Sequence, residues 1–253
     1  MKPLASANLP KIIGLSGRRG SGKDTVANLI KYLTLQQDYP GVWADQSLDF
    51  FLSNAHTWVS PYTCRSFAGK LKKFAQELTG HMDVYSQAGK TTFLSEWGMT
   101  VGELLQKLGT DAIRDGLHKD AWILACFAGM EEDQKYIITD CRFPNEAEAI
   151  RARGGLLLRI EGDPLKQQGD GTRDDSHPSE TALDDYPYFD AIIDNSGTLD
   201  QLKGHVELLL KHQRQAVQVG AVGAPLTYNE AVYTNNVLTY KRKYPRGAAA
   251  PNY

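Results

Sequence analysis

The chain has 253 residues, of which 42% are hydrophobic and 23% charged, as is usual for a globular protein. A net charge of -2 gives no basic bias toward nucleic acid, and no apolar run is long enough for a signal peptide or a membrane span. Three cysteines without C-x-x-C spacing are typical of reduced thiols. We therefore expect a cytoplasmic protein without nucleic-acid or membrane partners.

A strand, a glycine-rich loop and a helix follow one another near the start of the chain. Residues 12–15 form a short apolar run, and residues 17–23 read GRRGSGK, which fits G-x-x-x-x-G-K. In the next segment Val26, Leu29 and Ile30 fall on one side of a helix. This order predicts a phosphate-binding loop rather than a simple glycine-rich turn with a surface lysine.

The residue types of this loop suit a polyphosphate. Glycines allow a tight turn that exposes consecutive backbone N–H groups, and the positive end of the following helix adds to their field. Lys23 supplies a cation that can reach the β- and γ-phosphates. The predicted nucleotide-binding residues are Gly17, Arg19, Gly20, Ser21, Gly22, Lys23, Asp24 and Thr25.

Asp24 stands where many such loops carry a serine or threonine that binds Mg²⁺. Asp24 can hold the ion directly or through water, because Mg²⁺ prefers oxygen ligands. Alternatively, Asp24 is a first-turn residue favoured by the helix dipole, and Thr25 makes the phosphate and metal contacts. Both alternatives remain open at this stage.

Apolar runs and helical periodicities continue along the chain. Residues 36–61 form an aromatic-rich, irregular insertion, and residues 81–98 and 161–187 are polar. Gly109 is placed to end a helix, Asp120 and Asn145 to cap two others, and Thr198 with Gln201 forms a capping box. The remaining pattern predicts strands at 62–68, 135–140, 156–160 and 190–194, and helices at 70–78, 101–108, 121–130, 146–153 and from 199 to about 213.

Five short apolar strands separated by helices predict a P-loop NTPase-type α/β fold, with a parallel five-stranded sheet covered on both faces. Ligands of such sheets bind at the carboxyl ends of the strands. Asp140 ends the third predicted strand, where a carboxylate can anchor Mg²⁺, and Arg142 follows two residues later. Arg142 can clamp an acceptor phosphate or stabilise transferring charge. The alternatives are a turn residue for Asp140 and a surface arginine for Arg142.

The chain also resembles the bacteriophage deoxynucleoside monophosphate kinases, within the P-loop nucleoside monophosphate kinase group. The matching stretches lie in the family's order and cover most of residues 11–210. They are GLSGRRGSGKDTVANLI at 14–30, FAGKLKKFA at 67–75, LLQKLGTDAIRD at 104–115, DAW at 120–122, IITDCRFPNEAEAIRARGG at 137–155, DDSHPSE at 174–180 and IIDNSGTLDQL at 192–202.

The resemblance implies a kinase domain at 1–215 and a tail at 216–253. The domain would contain an NMP-binding insertion at about 34–130 and a lid at about 161–187. ATP and Mg²⁺ would lie over the glycine loop, with residues 195–198 near the adenine.

The resemblance also implies which residues bind the acceptor. The dNMP would be held by Phe67, Lys72, Gln106, Arg114, Trp122 and Arg142. Trp122 is as well explained as a core tryptophan. Arg173 would close on the phosphates from the lid, and His177 would stabilise the lid. Gly102 departs from the arginine that many relatives carry there.

The leading functional hypothesis is transfer of the γ-phosphate of ATP to a deoxynucleoside monophosphate. The alternatives are a related small-molecule kinase, acting on a modified pyrimidine monophosphate, phosphomevalonate or dephospho-coenzyme A, and a non-catalytic nucleotide-binding switch. The expected catalytic residues are Lys23, Asp140, Arg142 and Arg173, and the expected metal ligands are Asp24, Thr25 and Asp140. In the tail, Tyr233, Val237 and Leu238 could dock on the body of the protein or on a second subunit, which would make a homodimer.

Overall fold

A computed structural model describes residues 8–54, 57–81, 83–164, 178–218, 230–234 and 237–241. The chain divides into two compact units, one made of Met1–Cys64 with Asp133–Tyr253 and the other of Arg65–Glu132. The strands are β1 Ile12–Ser16, β2 Tyr62–Arg65, β3 Phe93–Leu94, β4 Met99–Thr100, β5 Lys135–Cys141, β6 Leu156–Glu161, β7 Ala191–Asp194, β8 Glu230–Thr234 and β9 Val237–Lys241.

The α-helices flank a π-helix, Lys107–Asp115, that directly follows α6. They are α1 Lys23–Asp38, α2 Pro40–Trp43, α3 Leu48–Ser53, α4 Gly69–Thr79, α5 Gln87–Thr91, α6 Val101–Gln106, α7 Ala121–Phe127, α8 Pro144–Arg151, α9 Pro178–Thr181 and α10 Leu199–Gln218. Within the described ranges, no helix is long and apolar enough to cross a bilayer.

The larger unit is built on a sheet with the strand order β2-β5-β1-β6-β7-β8-β9. Strands β5, β1, β6, β7 and β8 run parallel, and β9 is antiparallel to β8. The predicted α/β fold with a parallel sheet is therefore confirmed.

Helices cover both faces of this sheet. Ile13 and Leu15 share a core with residues of α1 and α10, and both side chains are fully buried. On the other face α8 lies so close that a Cβ on Gly14 would stand 2.5 Å from Ile150 Cδ1. Because both faces are covered, the central strands are apolar throughout, as their sequences indicated.

The predicted insertion at 36–61 contains α2 and α3 and packs on the core of the larger unit. Trp43 and Phe51 are buried there, with ring centroids 5.8 Å apart in an edge-to-face arrangement. This explains the aromatic residues of a segment that carries little regular structure.

The smaller unit has its own core of Ala75, Val84, Val101 and Leu104. Thr100 and Glu103 form a capping box at the start of α6. Helix α5 and strand β3 lie in residues 81–98, which the sequence indicated as a polar loop, and β4, which pairs with β3, directly follows this segment.

Three local predictions were wrong. Gly109 does not end a helix, because α6 continues into the π-helix, which includes it. Asp120 is the N-cap residue of α7, but its side chain makes no capping hydrogen bond to this helix. Asn145 lies inside α8, whose N-terminal cap is Phe143.

The C-terminal segment extends the sheet. Residues of β8 pair in parallel with β7, with Ile192 opposite Val232, and β9 completes a hairpin. The sequence indicated only that Tyr233, Val237 and Leu238 could dock. This segment packs on the larger unit as two added strands. Both strands contain β-branched and aromatic residues, which favour strand structure.

Candidate active site

The glycine loop joins β1 to α1 at the carboxyl edge of the sheet. Gly20 and Gly22 have φ values of 80° and 90°, in the left-handed region that glycine adopts without strain. Gly22 is the N-cap of α1, and no side chain caps this helix start. The first-turn N–H groups and the positive helix end therefore face the loop, which is the arrangement that binds phosphate.

Asn195, the residue that follows β7, is hydrogen-bonded to the glycine loop. Its Nδ2 donates a 2.9 Å hydrogen bond to the Ser21 carbonyl, and its backbone N–H donates to the Glu161 carbonyl at 2.6 Å. A Cβ on Gly22 would stand only 2.3 Å from Asn195 Nδ2. Asn195 thus fixes the shape of the loop, a role that the resemblance did not imply.

Lys23 folds back over the loop. Its Nζ donates to the carbonyls of Gly17 at 2.7 Å and Arg18 at 2.8 Å. Burial, and next the positive charge of Arg142, lower the pKa of Lys23 to about 8, while the carboxylates of Glu180 and Asp24 act in the opposite direction. An anion placed beside this lysine would restore its charge.

Arg142 lies beside the same loop. Opposite β1, the register of β5 shifts so that Gly14 pairs with Ile138 but Ser16 pairs with Cys141. This irregularity sits at Thr139 and Asp140, just before Arg142. The Arg142 guanidinium forms an ion pair with the Glu180 carboxylate, which also accepts a 3.1 Å hydrogen bond from the Arg19 N–H. Loop and arginine are therefore joined through one carboxylate.

A second carboxylate, Asp184, joins two further arginines. Its Oδ2 accepts from Arg18 at 2.6 Å and its Oδ1 from Arg159 at 2.6 Å. Arg159 is buried in β6 and also donates to Ser16 Oγ at 3.3 Å. The base of the loop is thus supported by paired charges.

Sequence reasoning assigned no role to Glu180, Asp184 or Arg159. Arg159 could have been noticed as the one charged residue within the otherwise apolar run LLLRI, which predicts a buried, paired arginine. Glu180 belongs to the quoted stretch DDSHPSE, but nothing in that stretch predicts its burial.

The expected metal ligands are single oxygen donors around the loop. Asp24 is exposed on the first turn of α1, and Thr25 and Asp140 are partly exposed. Among the described residues, no three His, Cys, Asp or Glu side chains lie close enough together to hold a metal alone. Such sparse oxygen donors fit Mg²⁺, which takes one or two carboxylates and fills its shell with phosphates and water.

Ser21 Oγ is a further sign of a polar ligand. It is buried and has no hydrogen-bond partner among the described residues. Because a buried hydroxyl without a partner costs free energy, a ligand oxygen at this loop would satisfy it.

The predicted acceptor residues lie in the smaller unit, apart from Arg142. Phe67 is buried with its ring 6.1 Å from that of Phe127, and Lys72 Nζ lies 5.1 Å from the centre of the Tyr85 ring. Trp122 Nε1 donates a 2.8 Å hydrogen bond to the Gly109 carbonyl. This bond ties α7 to the π-helix, so at least the indole N–H has a structural partner.

Arg114 is partly exposed on the π-helix, and Gln106 is exposed at the end of α6. A π-helical segment is uncommon and is frequently found at functional sites. The acceptor roles of these residues stay predictions. Arg173 and His177 lie outside the described residues.

The chain is similar to proteins of one known family. The model of the deoxynucleotide monophosphate kinase family matches residues 51–206. An Acanthamoeba polyphaga mimivirus protein, provisionally named a deoxynucleotide monophosphate kinase, is 28% identical over 212 residues, covering 77% of this chain and 93% of that protein. The deoxynucleoside-5'-monophosphate kinase of Escherichia phage T5 is 25% identical over 223 residues, covering 68% of this chain and 84% of the relative.

Proposed function

The chain belongs to the deoxynucleotide monophosphate kinase family, whose model matches more than half of it, and on this basis we propose how its residues divide the reaction. It is an ATP-dependent nucleotide kinase. The reaction moves the γ-phosphate of ATP to the phosphate of a 2′-deoxynucleoside 5′-monophosphate, giving ADP and a deoxynucleoside diphosphate.

The single observation that carries this division of roles is the phosphate-binding loop with two cations beside it. Phosphoryl transfer needs positioning and charge neutralisation rather than a covalent enzyme intermediate. Lys23 and the N–H groups at the start of α1 hold the triphosphate. Arg142 holds the acceptor phosphate and stabilises the charge of the phosphoryl group in transit.

The proposed reaction also uses Mg²⁺. Asp24 or Thr25, with Asp140, would hold the ion, which neutralises charge between the phosphates when bound. The resemblance implies that the acceptor is also bound by Lys72, Gln106, Arg114 and Trp122, with Phe67 shaping its pocket. The viral origin of the relatives supports a role in supplying DNA precursors in the cytoplasm of a host cell.

An acceptor panel tests the proposal. ADP release is measured with the four common deoxynucleoside monophosphates, a modified pyrimidine monophosphate, phosphomevalonate and dephospho-coenzyme A. We expect turnover with at least one deoxynucleoside monophosphate and none with the last two. ATP binding without turnover of any acceptor would instead indicate a nucleotide switch.

Lys23→Ala is the matched variant for this assay. It should lower kcat by orders of magnitude, since it removes the loop cation, while the melting temperature stays close to that of the native protein. Retention of kcat in this variant would contradict the placement of ATP.

A further inference from the structure

Glu180 is a carboxylate that the protein buries at considerable cost. Its side chain is only 2% exposed, and it lies in α9. A buried charge without a partner costs several kcal/mol, so its position is fixed by the groups that pair with it. Those groups include the Arg142 guanidinium and the backbone N–H of Arg19 in the glycine loop.

Arg142 is held at its other end by a second buried carboxylate. Glu146 Oε2 accepts the backbone N–H groups of Arg142 at 2.8 Å and of Phe143 at 3.1 Å. Glu146 is itself only 5% exposed. Both the backbone and the head group of Arg142 are thus hydrogen-bonded to buried carboxylates, which limits the rotamers that this long side chain can sample.

Glu180 also offsets the positive charges of Arg142 and Lys23. Arg142 and Lys23 are close enough that the arginine lowers the pKa of the lysine, and Glu180 opposes this effect. A negative charge at Glu180 therefore reduces the repulsion between two cations that must lie together before the nucleotide arrives. A neutral side chain there would remove this charge compensation and weaken the ion pair that holds the Arg142 guanidinium.

We propose that Glu180 is a positioning residue, which orients Arg142 toward the transferred phosphoryl group and ties it to the glycine loop. This inference rests on the proposed function, because it gives Arg142 the role described above. Pre-aligned charged groups contribute to catalysis because they need no reorganisation during the reaction. Glu180 touches neither substrate in this scheme and acts through Arg142.

A double-mutant cycle on the full-length protein tests the proposal. Glu180→Gln, Arg142→Ala and the double variant are compared for kcat and for the KM of ATP and of the deoxynucleoside monophosphate. We expect Glu180→Gln to lower kcat about tenfold or more and to change the KM of ATP less than about twofold. In the Arg142→Ala background the same change should have almost no further effect.

Glu148→Gln is the matched control. Glu148 also pairs with an arginine, Arg151 at 3.3 Å, and accepts from the Tyr186 hydroxyl, but it has no role in the proposed site, so its replacement should leave kcat unchanged. Glu180→Asp keeps the charge and retracts the carboxylate by one methylene, and we expect a smaller loss of kcat that also depends on Arg142. If Glu180→Gln does not fold, Glu180→Asp takes its place in the double-mutant cycle with Arg142→Ala.

NMR relaxation of the Arg142 Nε–H group gives a readout that is independent of turnover. The group should be rigid in the native protein and mobile in Glu180→Gln. Equal rigidity in both, or an equal loss of kcat with and without Arg142, would overturn the positioning role. Failure of the native protein to phosphorylate any deoxynucleoside monophosphate would instead overturn the proposed function, and the relaxation experiment would still decide the role of Glu180.

Discussion

At the scale of single residues, the site is defined by how each charge is compensated. Lys23 donates hydrogen bonds to two loop carbonyls, and Asn195 donates one to the carbonyl of Ser21. Glu180 and Asp184 pair with the arginines that surround the loop. These pairings keep the cations in place without ligand, so a triphosphate meets a site that needs little rearrangement.

The lowered pKa of Lys23 predicts how ATP binding depends on pH. In the free protein this lysine loses its proton above about pH 8, because burial and Arg142 disfavour its charge. Bound phosphate favours the charged form, so binding must take up a proton at higher pH. We expect the Kd for ATP to rise up to about tenfold per pH unit above pH 8.

Isothermal titration between pH 7 and 9.5 measures this dependence. Lys23→Met is the control, because it cannot titrate, and its weaker binding should not change over the same range. Parallel slopes for the native protein and the variant would show that another group is responsible.

At the scale of elements, Asp190 links two strands of the sheet. Its carboxyl Oδ2 accepts the Leu157 N–H of β6 at 2.7 Å, and the residue directly precedes β7. Part of the residue is exposed, but its carboxyl group is enclosed by protein, and this burial raises its pKa from 3.8 to about 6. The Leu157 hydrogen bond and the charge of Arg151 only partly oppose the rise.

This raised pKa predicts a loss of stability between about pH 4 and 6. The folded state holds the proton more tightly than the unfolded state, so the contribution is fully present below about pH 4 and disappears as the pH rises through 6. Two pKa units correspond to about 3 kcal/mol. Urea unfolding across this range should therefore show a falling free energy of unfolding that Asp190→Asn makes flatter.

The control for this prediction is Asp200→Asn, an exposed acid in the first turn of α10. It should keep the pH dependence of the native protein. A native-like slope in Asp190→Asn would mean that other acids carry the effect.

Local pattern was enough to predict elements whose signals lie close together in sequence. The glycine loop, β1 and α1 form one such stretch, and Thr198 with Gln201 forms the predicted reciprocal cap. The π-helix was not predictable, since Gly109 follows the usual rule for ending a helix and the Trp122 N–H that binds its carbonyl comes from another element. The burial of Glu180 likewise depends on Arg142, which is distant in sequence.

At the scale of the whole molecule, most of the predicted acceptor residues and the glycine loop belong to different compact units. Most of the former belong to Arg65–Glu132, a compact unit with its own core, and the loop belongs to the larger unit. The family model begins inside the insertion that precedes β2 and ends within α10. The match to the family model therefore includes neither the glycine loop, which its own sequence motif identifies, nor the C-terminal hairpin.

The C-terminal hairpin gives the last prediction. Strand β8 covers the edge of β7, and none of the proposed site residues lies in β8 or β9. Truncation after Gln218 should therefore leave kcat unchanged but expose the N–H and C=O groups of β7. In a chain of this size, a loss of about 1 kcal/mol of stability lowers the melting temperature by roughly 2–4 °C. We therefore expect truncation to lower the melting temperature by at least roughly 2 °C.

Calorimetry and light scattering on the truncated and full-length proteins separate the possible roles of this segment. If the hairpin only completes the sheet, the melting temperature falls, and the uncovered β7 edge promotes association of the truncated protein. If the segment instead holds a homodimer together, the full-length protein is the dimer and truncation yields the monomer. An unchanged melting temperature would contradict the pairing of β8 with β7, because a strand that contributes parallel ladder bonds cannot be removed without cost.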